Sequence, residues 1–321
     1  MFADKVGPRR LLSWEAALGV ALVLVAVLAG LFVDGFASSR NVADLLLDLV
    51  PIALIALPMT LIVVTGEIDL SVASTLGLTS SVLGALWVAN VPLELAVLLC
   101  LLLGAVLGAL NGVFVTAFGL PSLAVTIGTL ALYRGLATVV LGDQAVADFP
   151  REWTRGVASA VPGTPIPWTF AAIALLALVF GVLLHATPVG RGLYAMGHSP
   201  DAARFAGISV GWTKYWLYVA CGVVSALAGV LWTFRYASAR ADNGSGLELS
   251  VVAAVLLGGV SIFGGRGRLA GVALAVVLVG ALNSALRLAD VSSDALTIVT
   301  GTLLILSVVG PAMFRKGREN S

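Results

Sequence analysis

Apolar residues run through this chain in long, nearly unbroken windows, without the alternation or one-sided stripes of a water-soluble fold. The windows fall at about 11–33, 43–65, 70–89, 93–117, 121–141, 168–187, 215–235, 248–264, 269–288 and 295–314, each near the roughly 20 residues that an α-helix needs to cross a bilayer core. Lipid offers no partner to backbone N–H and C=O groups, so segments of this kind are helices. The pattern predicts an all-α membrane protein of about ten transmembrane helices in a single domain, residues 1–321. The first window follows Lys5, Arg9 and Arg10, as a secretory signal would. Its apolar run is long and no small-x-small cleavage site follows it, so it reads as a retained first helix.

The polar positions between windows set the expected orientation. Lys and Arg are held on the cytoplasmic face during insertion. With the amino terminus inside, ten crossings put Lys5, Arg9, Arg10, Arg191, Arg204, Lys214, Arg266, Arg268, Arg315, Lys316 and Arg318 in the cytoplasm, eleven of the 18 basic residues. The opposite loops receive Arg40, Arg151, Arg155 and Arg240. Both termini are therefore expected inside. Trp14, Trp87, Trp168, Trp212, Trp216 and Trp232 fall near window ends, where the amphipathic indole prefers the headgroup level. Trp153 stands apart, in the long external segment 142–167, whose Pro150, Pro162, Pro165 and Pro167 predict an irregular or short-helical cap.

Composition narrows the function classes. Of 321 residues, 60% are hydrophobic and 11% charged, against roughly 25% charged in a soluble domain. An ordinary soluble enzyme is excluded, and a formal charge of +1 gives no basic field for nucleic acid. Cys100 and Cys221 lie inside apolar runs and read as packing residues, and His185 and His198 have no metal-ligating companion at helical spacing.

An internal repeat points toward transport. Gly108-Ala109-Leu110-Asn111 recurs as Gly280-Ala281-Leu282-Asn283, and Gly128-Thr129-Leu130 as Gly301-Thr302-Leu303, with a looser echo of Asp69-Leu70-Ser71 in Glu248-Leu249-Ser250. Five spans separate the copies. An odd number of crossings turns the second copy over, which predicts two inverted halves, about 11–141 and 168–314, around a central path.

The segment 188–214 is expected on the cytoplasmic side. Within it Ser199 can cap a short helix, Pro200 has its torsion preset for the first helical position, Asp201 complements the positive dipole end and Gly207 suits the left-handed stop. Arg204, Phe205 and Ile208 would form its surface. It is either a solvated linker or a docking element for a cytoplasmic partner.

Several polar residues are candidates for the path. Glu67 and Asp69 sit where the second window gives way to the third, beside Ser71, and carboxylates there are expensive unless they line water or pair internally. Asp69 could equally cap the next helix. Asn111 and Asn283 are repeat equivalents, with Thr126, Thr129 and Thr300 on the spans that follow. These can line a polar path or bond between helices. Gly104, Gly108 and Gly112 recur every fourth residue, the spacing of close helix packing. Arg134, inside the fifth window, needs a counter-charge or carbonyls. Gly265-Arg266-Gly267-Arg268 lacks the Gly-Lys-Ser/Thr ending of a phosphate cradle and reads as a turn, so the chain is expected neither to bind nor to hydrolyse ATP.

Taken in order, Gly66-Glu67-Ile68-Asp69-Leu70-Ser71, Asn111-Gly112, Thr126-Ile127-Gly128-Thr129-Leu130, Tyr133-Arg134-Gly135, the 190–207 loop, and Glu248-Leu249 leading to Leu257-Gly258-Gly259-Val260-Ser261-Ile262-Phe263-Gly264-Gly265 resemble the permease subunits of bacterial ABC importers for ribose and related sugars. Details after Val260 look most like the rhamnose branch, with autoinducer-2 permeases also similar. The resemblance implies a second permease subunit beside this one, two cytoplasmic ATPase subunits that use ATP and Mg, and an external sugar-binding protein. It assigns residues 199–207, with Ile208, to the family's coupling helix. The rival expectation is a stand-alone ion-coupled carrier in which Glu67 and Asp69 relay protons.

Overall fold

A computed structural model describes residues 14–292 and six residues between 295 and 305. The basic residues before Trp14, the basic tail, Thr300 and most of the 295–314 window lie outside the described residues.

The described chain is helical. In order come α1 (Trp14–Phe32), α2 (Ser39–Val64), α3 (Val72–Val88), α4 (Leu93–Thr116), α5 (Ser122–Leu141), α6 (Arg151–Ala158), α7 (Trp168–Ala186), α8 (Pro188–His198), α9 (Pro200–Phe205), α10 (Val210–Tyr236), α11 (Leu247–Leu257) and α12 (Leu269–Leu288). Seven of them, α1, α2, α4, α5, α7, α10 and α12, are long and apolar enough to cross a membrane. Two of the apolar windows form shorter helices. The 70–89 window gives α3, of 17 residues. The 248–264 window gives α11, of 11 residues, because the chain leaves the helix at Gly258 and Gly259, the latter with φ +87°. Much of the segment expected as the 188–214 loop is helical too, as α8, α9 and the start of α10.

Burial ranks the long helices. The apolar stretch of α2 is 83% buried and those of α1 and α7 only 11%, so α2 is central and α1 and α7 form the rim. With no hydrophobic drive between helices in lipid, small residues that let backbones approach decide the packing. Gly104 of α4 faces Ala226 and Gly222 of α10, Gly108 faces Tyr218, and Gly112 faces Tyr215. The falling order on α10 makes the crossing antiparallel. Three glycines one turn apart thus form the seam expected from their spacing. In addition α10 packs on α3, α2 packs on α11 and α12, and α2 and α10 meet each other.

The connections gather at two ends. At one, Gly265 N–H donates to the Val64 carbonyl at 2.8 Å and Tyr194 Oη to the Gly267 carbonyl at 2.7 Å, joining the turns after α2 and α11 to α8. At the other, Val146 and Ala239 exchange backbone hydrogen bonds, and the Phe149 ring meets Phe234 edge-on at 5.8 Å. The segment 142–167 forms an irregular cap with one short helix, α6, packed on α10. Asp44 and Asp48 of α2, Arg235 of α10 and Arg287 of α12 also pair at this end, at 2.8 Å for Arg235–Asp44 and 3.0 Å for Arg287–Asp48.

Candidate functional site

Helix α9 is short, so its caps decide whether it exists. Ser199 Oγ accepts the Ala202 N–H at 3.2 Å, and Pro200 takes the first helical position. At its other end Gly207 has φ +84°, Gly207 N–H donates to the Arg204 carbonyl at 2.9 Å and Ile208 N–H to the Ala203 carbonyl at 3.0 Å. This double closure is the Schellman stop that glycine permits. Asp201 and Arg204 pair at 2.6 Å. Both are largely exposed, so the pair is worth only about 0.2–1 kcal/mol. Only Ala203 of α9 is buried, and Phe205 is 93% exposed. Beside it, Pro188, Val189, Gly192, Met196, Ile208 and Thr213 line a groove of about 520 Å³.

Helix α8 fixes α9 to the membrane body. Thr187 Oγ1 accepts the Gly190 N–H, and the Leu269 N–H donates to His185 Nε2 at 3.3 Å. His185 therefore caps the first turn of α12, a role that its isolation in the sequence concealed. Gly197 abuts the Val64 carbonyl and the Gly265 N–H so closely that any Cβ would overlap them.

The 65–71 turn is tightly held. Glu67 pairs with Lys214 of α10 at 2.5 Å, their side chains 19% and 11% exposed. Asp69 Oδ1 accepts the Ser71 N–H at 2.9 Å and the Ser71 hydroxyl at 2.6 Å, while Asn111 Nδ2 donates to Ser71 Oγ at 2.8 Å. Asp69 thus serves the start of α3. Thr126 Oγ1 donates to the Ser122 carbonyl at 2.8 Å, and Ser122 Oγ accepts the Ile68 N–H at 3.2 Å. Asp69, Ser71, Asn111, Thr126 and Thr129 are all buried in protein; Asn283 is half-buried on α12, away from this group. Asn111 Oδ1 and Tyr218 Oη are buried here without a protein partner. Sequence reasoning did not find Lys214 as the partner of Glu67. Its signal was a basic residue at the edge of a long apolar run.

Breaking the Glu67–Lys214 pair from one side leaves a poorly solvated charge, which costs about 3–5 kcal/mol in a buried pair. Glu67→Gln and Lys214→Met are each expected to lower the melting temperature of purified protein, and the double variant to recover most of the loss. Additive losses would show that the two residues act separately.

Arg134 of α5 finds carbonyls. Nη1 donates to Ala241 at 2.7 Å and Asn243 at 2.9 Å, and Nη2 to Ala73 at 3.3 Å. Its side chain is consumed by structure. Among the described residues no group of three His, Cys, Asp or Glu side chains could hold a metal.

Residues 41–308 match the model of a family described as branched-chain amino acid transport system / permease component. The chain belongs to this family. As a permease it is a multi-pass membrane protein, in accord with its seven long apolar helices. The relatives include the autoinducer 2 import system permease protein LsrD of Escherichia coli K12 and of Shigella flexneri. Each is 37% identical over 304 residues, covering 93% of this chain and 92% of the relative. No solved structure matches the permease.

Proposed function

We propose that this permease is the membrane-spanning subunit of an ATP-driven, binding-protein-dependent importer for a small sugar or sugar-like signal. The observation that carries this reading is α9: a six-residue helix capped at both ends, fixed to the membrane body through α8, and presenting Phe205 almost fully exposed. An aromatic ring held rigidly in water is a docking knob. Its partner would be a cytoplasmic ATPase subunit, two of which would serve a pair of permeases. The named relatives are autoinducer 2 import permeases, which supports autoinducer 2 as the cargo ahead of rhamnose and ribose.

The two inverted halves draw support from packing. Helices α2 and α10 start 171 and end 172 residues apart, matching the 172-residue offset of the Asn111 and Asn283 repeat. Gly108 packs on α10 beside Tyr218 and Gly222, and its repeat equivalent Gly280 packs on Leu49 of α2. Each half thus lends its second helix to the third and fourth helices of the other. The end with α8, α9, Arg266 and Arg268 would be cytoplasmic, by the positive-inside rule. Alternating access would follow if closure of the ATPase pair moved α9, and through α8 the turns after α2 and α11, swapping which end of the path is open.

The ion-coupled carrier fares less well because its proton relay would need accessible carboxylates. Glu67 is engaged by Lys214, and Asp69 by Ser71 at the start of α3. Uptake by sealed vesicles separates the two. The importer requires internal ATP and added binding protein; uptake by this chain alone, abolished by an uncoupler, would establish the carrier.

Docking has its own test. Gly207→Val forces a β-branched residue to φ +84°, and Arg204→Glu replaces a basic surface group with an acidic one. Both are expected to lower co-purification of the ATPase at least about tenfold, equivalent to about 1.4 kcal/mol, with membrane insertion unchanged. Normal ATPase yield with both variants would refute docking at α9.

A further inference from the structure

The connection between α10 and α11, residues 237–246, starts near one membrane face and ends deep inside the bilayer. Two measures agree on its depth. Helix α11, with 11 residues, rises about 16 Å, half of a bilayer core of roughly 30 Å. Its last residue is tied to the interface, since Trp14 Nε1 at the start of α1 donates to the Leu257 carbonyl at 2.7 Å and an indole there sits at headgroup level. Leu247 therefore lies near the bilayer centre. Independently, the connection follows α3 inward. Ala239 lies against Gly84, the Asn243 amide donates to Ser80 Oγ at 2.9 Å, and Gly244 lies against Leu76. Between Gly84 and Leu76 the helix travels about 12 Å.

Irregular backbone at that depth is tolerated only where protein holds it or water reaches it. One side is held: Arg134 donates to the Ala241 and Asn243 carbonyls. The other side is open. Arg240, Asp242, Ser245 and Gly246 are exposed, and the Arg240 guanidinium grips Asp242 through Nε at 2.8 Å and Nη2 at 3.2 Å. The pair lies between the levels of Gly84 and Ser80 on α3, and exposed charges inside the bilayer are costly against hydrocarbon.

The geometry points to residues 240–246 as a re-entrant element that lines the translocation path at mid-depth, where Arg240, Asp242 and Ser245 hydrogen-bond the hydroxyls of a passing uncharged polyol. Arg134 is its positioning residue. The Arg240–Asp242 pair sets donors and acceptors side by side, the complement of neighbouring hydroxyls, and its neutral sum does not trap cargo. This inference rests on the permease reading above for its cargo, but not for its depth or hydration.

Thiol labelling of the assembled permease in sealed vesicles tests it. Native Cys100 and Cys221 are buried, so introduced thiols report alone. Ser245→Cys is expected to react with a small membrane-impermeant thiol reagent within about tenfold of the rate of Ser159→Cys in the exposed cap, and about 100-fold faster than Leu178→Cys on the lipid-facing rim, because ions partition poorly into hydrocarbon. Ser245→Cys as slow as Leu178→Cys, or joined to a second permease by a short cross-linker, would overturn the assignment. These rates need no transport, so they stand or fall apart from the ATP-driven reading. For the cargo contact, Asp242→Asn is expected to cut uptake at least about tenfold, equivalent to about 1.4 kcal/mol, while binding-protein-stimulated ATP hydrolysis persists. Uptake equal to that of the unaltered permease, or equal loss of uptake and hydrolysis, would remove Asp242 from the path.

Discussion

Gly108→Leu is expected to abolish folded protein. A Cβ at Gly108 would overlap the Tyr218 carbonyl, and one at Gly222 on the facing helix would overlap the Gly104 carbonyl. The obstructing atoms are backbone, so no side chain can swing aside. Relief requires α4 and α10 to separate along their whole seam, with loss of the Gly104 and Gly112 contacts as well. Overpacking of ordinary cores costs about 1–3 kcal/mol, and a backbone-to-backbone clash at a glycine seam exceeds that range. Gly128→Leu and Gly135→Leu are the controls, because nothing lies within 4 Å of a Cβ at either position. The measurement is the monodisperse yield in detergent and the melting temperature. Gly108→Leu protein that matches the Gly128→Leu control would show that the crossing is looser than described.

Arg134→Met is also expected to have a large effect. The substitution keeps much of the volume and removes the donors to three carbonyls, those of Ala241, Asn243 and Ala73. Each buried acceptor left unpaired costs about 1–3 kcal/mol. The loss should be concentrated in the 237–246 connection, to which two of the three carbonyls belong. Arg134→Met should therefore lower the melting temperature strongly and expose the connection to protease, with Arg134→Lys intermediate because a single ammonium cannot span all three carbonyls. Arg155→Met on the exposed face of α6 should leave both readouts unchanged. An Arg134→Met melting temperature equal to that of Arg155→Met would refute the structural role.

The parts of this architecture that were legible from sequence are those set by local chemistry. The caps of α9 are an example: Ser199, Pro200 and Gly207 act within a few residues of themselves, and the structure places each where its side chain or torsion predicts. The glycine spacing of α4 gave away a packing seam for the same reason. Lengths were less legible. The 248–264 window is apolar throughout, yet its helix stops at Leu257, because hydropathy records what lipid tolerates and not where a pair of glycines leaves the helix. The polar candidates show a different limit. Asp69, Ser71, Asn111 and Thr126 were visible as polar groups in an apolar chain, but whether such a group faces water or a neighbouring helix depends on residues 40 or more positions away. Asn111 meets Ser71, and Ser122 meets Ile68, only because α3, α4 and α5 pack together.

By itself the sequence determined that this protein is helical, lies in a membrane, carries a short capped helix between longer ones and belongs with permeases, since each follows from composition, short-range capping or ordered motifs. Tertiary structure alone decided that Glu67 pairs with Lys214, that His185 caps α12, and that Arg134 holds the connection between α10 and α11. Those contacts join residues separated by 84 to 147 positions, and the free energy that selects them comes from the desolvation of charges and carbonyls that no local pattern records.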